Sequence, residues 1–388
     1  MERRVVHLNV AHFMASVEEL CDRSLKGRPF LIAPAGRSRA VAIDVSEKAF
    51  HEGARRGMAV DEAVRRVRGM PVLPPRFDLY ARAERGMREI VCRYSPLVEE
   101  AGTGHLYTDI SGTGLLFGEP VDLAARMRQE ISERLGFNPI AGLAVNKLVS
   151  KVATRVVKPV GFIAVQPGDE RGFLARQEVG LLPGIGKKLT ERMGLLGIRE
   201  IGDLAELSDA DAAAALGRGG TLLKSRARGI DTAPVTGEPA SRRRIRAEAL
   251  FDTDTHDAAA LEGRLFSLVE DLGLRLRESG MAARTVELLI VYTDSGRALA
   301  RAALPRASSF DRDLFETARA LLSRHLARRG RVRKIAAALS GLEPHNGQLD
   351  LFTPPERLKL ESLQHAVDRI RGRYGRDALR AGRTLAAP

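Results

Sequence analysis

Short apolar runs and longer amphipathic segments alternate along the first 168 residues. The runs at 4–10, 105–111 and 140–146 have the length and apolar character of buried strands. Further strands are predicted at 28–34 and 39–45, and helices near 47–56, 60–68, 78–93 and 120–135. A sheet with interspersed helices of this kind indicates an α+β domain.

The pattern changes twice beyond residue 168. Residues 170–233 have helical spacing with two glycine-rich turns, and 234–247 contain Pro, Gly and a basic run that predict a linker. From 248 to 341 strands and helices alternate again, with an amphipathic helix at 261–279. Apolar residues recur at helical spacing within 356–375, which predicts a last amphipathic helix.

Composition places the chain among globular proteins. A length of 388 residues exceeds one ordinary core and predicts two to four domains. No apolar run reaches the roughly 18–20 residues that cross a membrane, and the first four residues predict no secretory leader. The cysteines, Cys21 and Cys92, lack metal-ligand spacing and predict reduced core thiols of a cytoplasmic protein.

The charge balance points to an anionic partner. The chain has 62 Lys and Arg against 49 Asp and Glu, a net charge of +13. Such a field attracts polyanions, nucleic acid first and a membrane surface second. An arginine-rich proteome would shift every protein in the same direction, so charge alone does not choose between these readings.

The segment 182–198, LPGIGKKLTERMGLLGI, has the form of a helix-hairpin-helix. Gly184 and Gly186 allow the tight turn and bring backbone N–H groups to the surface. Those groups, with Lys187 and Lys188, can hold a DNA phosphate without reading sequence. The alternative is an ordinary helix end followed by a turn.

Basic residues recur beyond this hairpin and suit a face that grips duplex phosphates. The alternative is a solvated charged surface. The candidates on the linker, and on one face of the sheet predicted after it, are Arg242, Arg243, Arg244, Arg246, Arg297, Arg301, Arg331 and Arg333.

A peptide near the C-terminus has two large apolar residues in a polar, proline-flanked setting. Leu351 and Phe352 could enter a partner's pocket from an extended segment, or the segment could be a strand docked on its own core. Its form, Gln-Leu-x-Leu-Phe, resembles the bacterial sliding-clamp-binding peptide. The predicted clamp contacts are Gln348, Leu349, Asp350, Leu351 and Phe352.

The residues alone reveal no active site. Two-metal phosphoryl transfer needs neighbouring carboxylates. Asp44 and Asp109 lie near strand ends, but nothing identifies them as a pair. No phosphate-binding loop, zinc motif or nucleophile triad is evident, so the residues predict a DNA-binding protein.

In order, these features resemble the Y-family translesion DNA polymerases, the DinB/UmuC group, over nearly the whole chain. The matching segments are FMASVE (13–18), RRGM (55–58), HLYTDIS (105–111), GLAVNKLVSKVATRVVKP (142–159), the hairpin and LKSRARGIDTAPV (223–235). The resemblance implies a right-hand architecture that is α+β and multidomain. It has a palm (1–20 and 75–168), fingers (21–74), a thumb (169–233), a linker (234–247), a little finger (248–343) and a tail (344–388).

The chain departs from the family pattern where that pattern carries catalytic carboxylates. Those positions fall on Asn9, Ala11, Gly104 and His105. Around the nucleotide, the family's Tyr and Arg fall on Glu47 and Phe50, and the aromatic residue that excludes ribonucleotides falls on Met14. Of the triphosphate contacts only Lys158 remains.

Such coordinated replacement resembles the noncatalytic ImuB-type members. It implies that the chain is not an enzyme, uses no metal or other cofactor, and is an accessory or scaffold in translesion synthesis and damage-induced mutagenesis. The implied partners are primer–template DNA, the sliding clamp, an error-prone C-family polymerase and a RecA-like protein, at the nucleoid of a bacterial cytoplasm.

Two alternatives stay open. One is an active error-prone polymerase with a rearranged Mg²⁺ or Mn²⁺ site that uses Asp109, Glu99 or Glu100, with His105. The other is a DNA-binding module that competes with polymerases at lesions.

Overall fold

The computed structural model describes residues 2–34, 39–237, 244–294, 296–326, 330–345, 355–375 and 378–384. The chain forms two compact units, Met1–Pro239 and Ala240–Pro388. Within the described ranges, none of the helices combines the length and the apolar character that a membrane span requires.

The first unit contains eight strands and twelve α-helices among its described residues. In chain order they are β1 (Val5–Asn9), α1 (Phe13–Cys21), β2 (Leu31–Ile32), β3 (Asp44–Val45), α2 (Glu47–His51), α3 (Val60–Arg66), β4 (Val72–Leu73), α4 (Phe77–Cys92), β5 (Val98–Glu100), β6 (His105–Asp109), α5 (Gly114–Phe117), α6 (Pro120–Leu135), β7 (Ile140–Ala144), α7 (Lys147–Val156), β8 (Phe162–Ala164), α8 (Glu170–Ala175), α9 (Lys187–Leu195), α10 (Ile201–Glu206), α11 (Asp209–Leu216) and α12 (Gly220–Ala227).

A five-stranded sheet in the order β5-β6-β1-β7-β8 is the centre of this unit. Strand β1 is antiparallel to both neighbours, and Asn9 lies opposite His105. All five residues of β1 are buried. Val6 and Leu8 face a core shared with α4 and α6, while alternate side chains point to the other face, as in any strand.

Helix α7 covers that other face at very short range. A Cβ on Gly142 of β7 would lie 2.2 Å from the carbonyl oxygen of Ser150, so only glycine allows this approach. The Nδ1 atom of His7 lies 2.8 Å from Oγ1 of Thr154 on α7. The helix is therefore fixed to β1 and β7 together.

A small sheet in the order β3-β2-β4 has its own core. It meets α1 through Asp44, whose carboxylate accepts hydrogen bonds from the backbone N–H groups of Met14 at 3.0 Å and Ala15 at 3.4 Å. A carboxylate is favourable at a helix N-terminus, where N–H groups lack helical partners. This contact joins the small sheet to the large one.

The helices from α8 to α12 share a second core with α7, which includes Leu182, Ile201 and Leu223. The hairpin turn between Leu182 and α9 uses Gly184 at φ 102°, a left-handed conformation that glycine adopts readily.

The second unit is a four-stranded antiparallel sheet with helices on one face. Its strands run in the order β11-β10-β12-β9. The elements are β9 (Arg244–Thr255), α13 (Ala258–Glu278), β10 (Met281–Tyr292), β11 (Arg297–Ser308), α14 (Asp311–Leu326), β12 (Val332–Pro344) and α15 (Pro355–Tyr374).

The last helix, α15, packs on α13 within the second unit through ion pairs. Arg277 of α13 lies 2.6 Å from Asp368 and 2.8 Å from Asp311, and all three are largely buried. Burial raises the pKa of Asp311 to about 6, although the Arg277 guanidinium opposes the rise. Sequence periodicity predicted this helix but not its docking site.

The predicted strands at 4–10, 105–111 and 140–146 correspond to β1, β6 and β7. The runs at 28–34 and 39–45 pair over only two residues each. The helix predicted at 47–56 ends at His51, because Gly53 has a φ of 101°. The reading of both cysteines as core thiols is wrong for Cys21, which is exposed. The finer palm, fingers and thumb bounds stay predictions.

Replacing Gly142 by alanine should destabilise the first unit by about 2 kcal/mol, as overpacking in a tight core does. Gly172 in α8 is the matched control, since a Cβ there meets open space. Alanine at that position should be neutral or stabilising by about 0.5 kcal/mol. Urea unfolding midpoints measure both, and equal effects of the two substitutions would contradict the close packing.

Candidate active site

A cavity of about 510 Å³ lies beside the small sheet, where β1 ends and β6 begins. The large sheet contributes Asn9 and His105, and the small sheet and its helix contribute Asp44 and Glu47. Further lining residues include Ala11, His12, Phe13, Phe50, Arg55, Arg56 and Lys158. The structure thus brings together the positions predicted from the family pattern at Asn9, Ala11, His105, Glu47, Phe50 and Lys158.

Asn9 is almost fully buried at the floor of this cavity, with 1% of its surface exposed. Its Nδ2 group has no hydrogen-bond partner among the described residues. A buried donor without a partner is costly, and a bound acceptor would remove that cost.

Gly104 lies beside the cavity in a conformation that excludes side chains. Its φ is 74°, and a Cβ there would lie 2.7 Å from Cβ of Phe13. Its N–H group donates to Oε1 of Glu84 at 2.8 Å. A carboxylate at position 104 therefore requires a different backbone in this turn.

A hydrogen-bond relay sets the tautomer of His105. The hydroxyl of Thr154 donates to the carbonyl of Lys151 at 2.8 Å, which leaves its oxygen to accept from Nδ1 of His7. The Nε2 atom of His7 is then an acceptor for Nδ1 of His105 at 3.2 Å. This order leaves the lone pair of His105 on Nε2.

Both imidazoles are neutral near pH 7. Burial, and then the charges of Lys151, Lys158, Arg155 and Arg56, lower the pKa of His105 to about 4. Burial and the ring of His105 hold the pKa of His7 well below its ordinary value. A negative ligand beside His105 would have the opposite effect, so the local field is positive.

Three cations produce most of this field. Burial and mutual repulsion lower the pKa values of Lys151 and Lys158, and burial lowers that of Arg155. Among the described residues none of the three forms an ion pair with a carboxylate, although Glu99 attracts Lys151 from beyond ion-pair distance. Sequence reasoning identified only Lys158, although basic residues at 151, 155 and 158 have the spacing of one helix face.

The cavity also contains carboxylates on its small-sheet side. Burial raises the pKa of Asp44, against the N–H groups and the His12 ring that stabilise its charge. Glu47 is exposed and lies 3.8 Å from Nε2 of His51. The guanidinium of Arg55 lies 4.1 Å above the ring of Phe50 and donates to the carbonyl of that residue. Met14 is buried.

These residues do not fit a pair of Mg²⁺ ions. Hard cations need several oxygen ligands, but the oxygens of Asp44 already accept backbone N–H groups. Asn9 offers a neutral amide and His105 a softer nitrogen. Across the residues that the structure describes, no three His, Cys, Asp or Glu side chains converge as metal ligands.

The carboxylates considered for a rearranged metal site have other hydrogen-bond or ion-pair partners in the structure. Asp109 accepts from Ser111 at 2.5 Å, and Glu99 binds Lys147 at 2.6 Å and the N–H of Thr236 at 2.9 Å. Glu100 lies 3.6 Å from Arg88. None of the three lines the cavity.

The hairpin presents its charge to solvent. Gly186 caps the N-terminus of α9, and Lys187 and Lys188 are exposed on its first turn. The Nζ atom of Lys187 lies 4.0 Å from Glu191. Such weak pairing leaves the charge available for a phosphate.

The sheet of the second unit has exposed arginines on the face away from its helices. Arg244 and Arg246 alternate on β9, and Arg297 and Arg301 alternate on β11. Arg244 is paired with Glu287 at 2.6 Å and Arg246 with Glu248 at 2.7 Å, which reduces their net charge. Arg331 is exposed beside β12, while Arg333 is half-buried and lies 3.7 Å from Asp254.

Two groups of predicted contacts fall outside the described residues. They are Arg242 and Arg243 of the linker, and the whole clamp peptide, Gln348, Leu349, Asp350, Leu351 and Phe352.

Comparison with known proteins identifies relatives over the full chain. The impB/mucB/samB family matches residues 8–155, and the C-terminal domain of the same family matches 242–351. DNA polymerase IV of Dehalococcoides mccartyi (strain CBDB1) is 31% identical over 98% of this chain and 97% of its own length. DNA polymerase IV of Halorhodospira halophila is 33% identical over 90% and 98%, respectively.

Solved structures agree on the fold. A Y-family DNA polymerase chimera, Dbh-Dpo4(243-245)-Dbh, superimposes with a TM-score of 0.77 at 21% identity, covering 87% of this chain and 98% of its own. An insertion ternary complex of Dbh DNA polymerase has a TM-score of 0.64 at 20% identity, with the same coverage. The predicted α+β right-hand architecture is confirmed.

These relatives contradict two of the predictions made from the sequence. The expectation that the chain is not an enzyme conflicts with full-length relatives named DNA polymerase IV. The expectation of no cofactor fails with it, because polymerases join nucleotides with the help of two metal ions. Both predictions relied on the expectation, drawn from the family resemblance, that Asn9, Gly104 and His105 stand at carboxylate positions, and that expectation does not by itself show inactivity. With matches in both halves and relatives above 30% identity along its length, this chain belongs to the impB/mucB/samB family of Y-family DNA polymerases.

Proposed function

We propose that the chain acts on primer–template DNA in translesion synthesis as a DNA polymerase with a rearranged active site. The observation that carries this proposal is the cavity between the large and small sheets, in a chain whose full-length relatives are named DNA polymerase IV. Its residues come from both sheets, which suits a site that closes around a nucleotide and a primer end.

The cavity residues divide by charge. Arg55, Arg56 and Lys158 provide cations for a triphosphate, and Phe50 positions the guanidinium of Arg55. Neutral Asn9 and His105 stand where the family pattern has acidic ligands. Since the donor set does not fit two Mg²⁺ ions, we expect slow extension.

The hairpin and the second sheet supply the DNA grip of this proposal. Lys187 and Lys188 on α9, and Arg297 and Arg301 on β11, are exposed cations suited to phosphates. Contacts of this kind bind without sequence preference, which suits a protein that follows a primer end to any lesion.

The peptide at 348–352 is proposed to bind the sliding clamp and to tether the protein to DNA. Its support is the sequence pattern alone. The error-prone C-family polymerase, the RecA-like protein and the location at a bacterial nucleoid also stay predictions.

The first test is primer extension by the full-length chain with Mg²⁺ and with Mn²⁺. We expect slow extension, and the variant carrying Asn9→Asp and His105→Glu should be faster by at least about 10²-fold, because acidic groups stabilise the charges of the transition state. Gly104 is left unchanged because its backbone excludes a side chain.

A matched control identifies contaminating polymerase. Arg56→Ala with Lys158→Ala removes two of the cations assigned to the triphosphate, so extension that persists unchanged in this variant belongs to a contaminant. DNA binding without extension, by the wild type and by the restored variant alike, would contradict the proposed activity.

The second test concerns the hairpin. Lys187→Ala with Lys188→Ala should weaken duplex binding and reduce the slope of log K against log salt concentration by about 1.8, for two lost phosphate contacts. Arg312→Ala with Arg319→Ala is the control of equal charge, on the helical side of the second unit. Equal losses in both variants would show a nonspecific effect of net charge.

The third test concerns the clamp peptide. Leu351→Ala and Phe352→Ala should each weaken clamp binding by about 2 kcal/mol or more, as buried interface anchors do. Leu115→Ala with Leu116→Ala removes comparable apolar surface from an exposed site in the first unit. Unchanged clamp affinity in the Leu351 and Phe352 variants, measured by surface plasmon resonance, would refute the peptide assignment.

A further inference from the structure

A groove of about 820 Å³ lies among the helices of the second unit. Its walls come from α13, α14, α15 and the turn at 378–384, and β11 contributes one residue. The family's C-terminal domain matches residues 242–351, so α15 and that turn lie beyond the match. The groove is therefore built in part from a C-terminal segment that the family domain does not describe.

The groove has an apolar floor and an exposed apolar wall. Its floor contains the rings of Phe266 and Phe315, which meet edge to face with their centres 4.9 Å apart. Leu360 and Leu363 of α15 line the wall, and 42% and 60% of their surfaces are exposed. Further along the same helix, Asp368 anchors it to the unit. The ion pairs thus fix α15 while two of its leucines stay open over a concave surface, which is typical of an interaction site.

Arg383 lies over this floor with its charge available. Its Cζ atom is 4.8 Å from the ring centre of Phe266 and 4.8 Å from that of Phe315. Stacking on aromatic faces orients a guanidinium and leaves its N–H edges for a planar anion. Within the described ranges no carboxylate pairs with Arg383. A carboxylate that entered the groove would meet a preoriented arginine beside an apolar surface.

Most arginines of the groove are already neutralised. Three of them have carboxylates at 2.9, 3.0 and 2.7 Å, namely Arg312 with Glu316, Arg319 with Glu262 and Arg371 with Glu270. Arg306 of β11 is exposed, and no carboxylate of the described chain pairs with it.

The remaining acids of the groove have partners as well. Asp311 pairs with Arg277 at 2.8 Å, and Asp313 accepts a hydrogen bond from the hydroxyl of Ser308 at 2.6 Å. Glu361 also has a partner. The charges that stay open are therefore positive, at two arginines on an apolar groove.

We propose that this groove binds a segment of another protein that carries bulky apolar side chains beside an acidic one. The apolar side chains cover Leu360 and Leu363, and the carboxylate binds Arg383, with Arg306 adding its charge. A second copy of this chain fits less well, because two chains of net charge +13 repel one another. Nucleic acid also fits less well, since phosphates gain nothing from exposed leucines and would approach Glu316 at the rim.

Three helical peptides of one design test this chemistry on the full-length protein. Each carries leucine and phenylalanine along one face, and they differ only in having glutamate, glutamine or lysine beside that face. The glutamate peptide should bind about tenfold more tightly than the glutamine peptide, because a charge-assisted pair replaces a neutral contact. The lysine peptide should bind most weakly. Fluorescence anisotropy measures all three. Equal affinities of the glutamate and glutamine peptides, or no binding of any peptide below about 1 mM, would overturn the proposal.

Matched variants separate the groove from the general positive charge of the protein. Arg383→Met should reduce the preference for glutamate over glutamine to about twofold, whereas Arg65→Met, which removes an equal charge from an exposed position of α3, should leave the preference unchanged. Leu363→Ser should weaken all three peptides about tenfold through lost apolar contact. Leu222→Ser removes a similarly exposed leucine from α12 and should weaken none of them. Equal effects within either pair would refute binding in the groove.

Competition and sedimentation distinguish the other occupants. Duplex DNA that displaces the glutamate peptide from the wild type, and less readily from Arg383→Met, would assign the groove to nucleic acid. Dimerisation that Leu363→Ser abolishes would assign it to a second copy. Tighter peptide binding by the variant carrying Leu351→Ala and Phe352→Ala would assign it to the chain's own residues 348–352. Each of these results would overturn the proposal, and none of them depends on primer extension.

Discussion

The close approach of α7 to the central strands is the constraint on which the site depends. Gly142 allows the helix backbone to touch β7, and His7 then bonds Thr154 across the interface. A wider separation would carry Lys151 and Arg155 away from His105 and break the relay that sets its tautomer. One glycine on β7 thus controls the electrostatic character of the cavity beside the neighbouring strand β1.

The same packing explains why the cavity is positive at one end. The cations of α7 are fixed by the helix, whatever residues stand opposite them on β1 and β6. Where the residues opposite the helix are acidic, their negative charges neutralise the cations of α7. Here those residues are Asn9 and His105, so the cations meet no carboxylate at these two positions and suppress protonation of the imidazole, while Asp44 and Glu47 lie on the small-sheet side of the cavity.

Much of the fold is visible in the sequence because its central strands are buried on both faces. Such strands appear in the sequence as apolar runs, as β1, β6 and β7 do. The strands of the small sheet were predicted too long, since they pair over two residues each and the rest of each apolar run is irregular backbone. The docking of α15 depends on Arg277 and Asp368, which lie 91 residues apart and have no local signal.

The sequence predicted where the candidate site lies, but only part of its charge and hydrogen bonding. Family resemblance located Asn9, Gly104, His105, Glu47 and Phe50, and all but Gly104 line one cavity, with Gly104 beside it. The partners of Asp109 and Glu99 could not be read from the sequence, because Asp109 bonds its local turn and Glu99 holds residues far along the chain. The unpaired state of Lys151 and Arg155 was equally hidden, since it depends on what lies across from a helix.

The turn at Gly104 limits which substitutions this part of the site accepts. Phe13 fills the space that a side chain at position 104 would need. A single substitution that introduced aspartate there would meet both a left-handed backbone and the side chain of Phe13. Placing a carboxylate at this position therefore needs a rebuilt turn as well as a new residue.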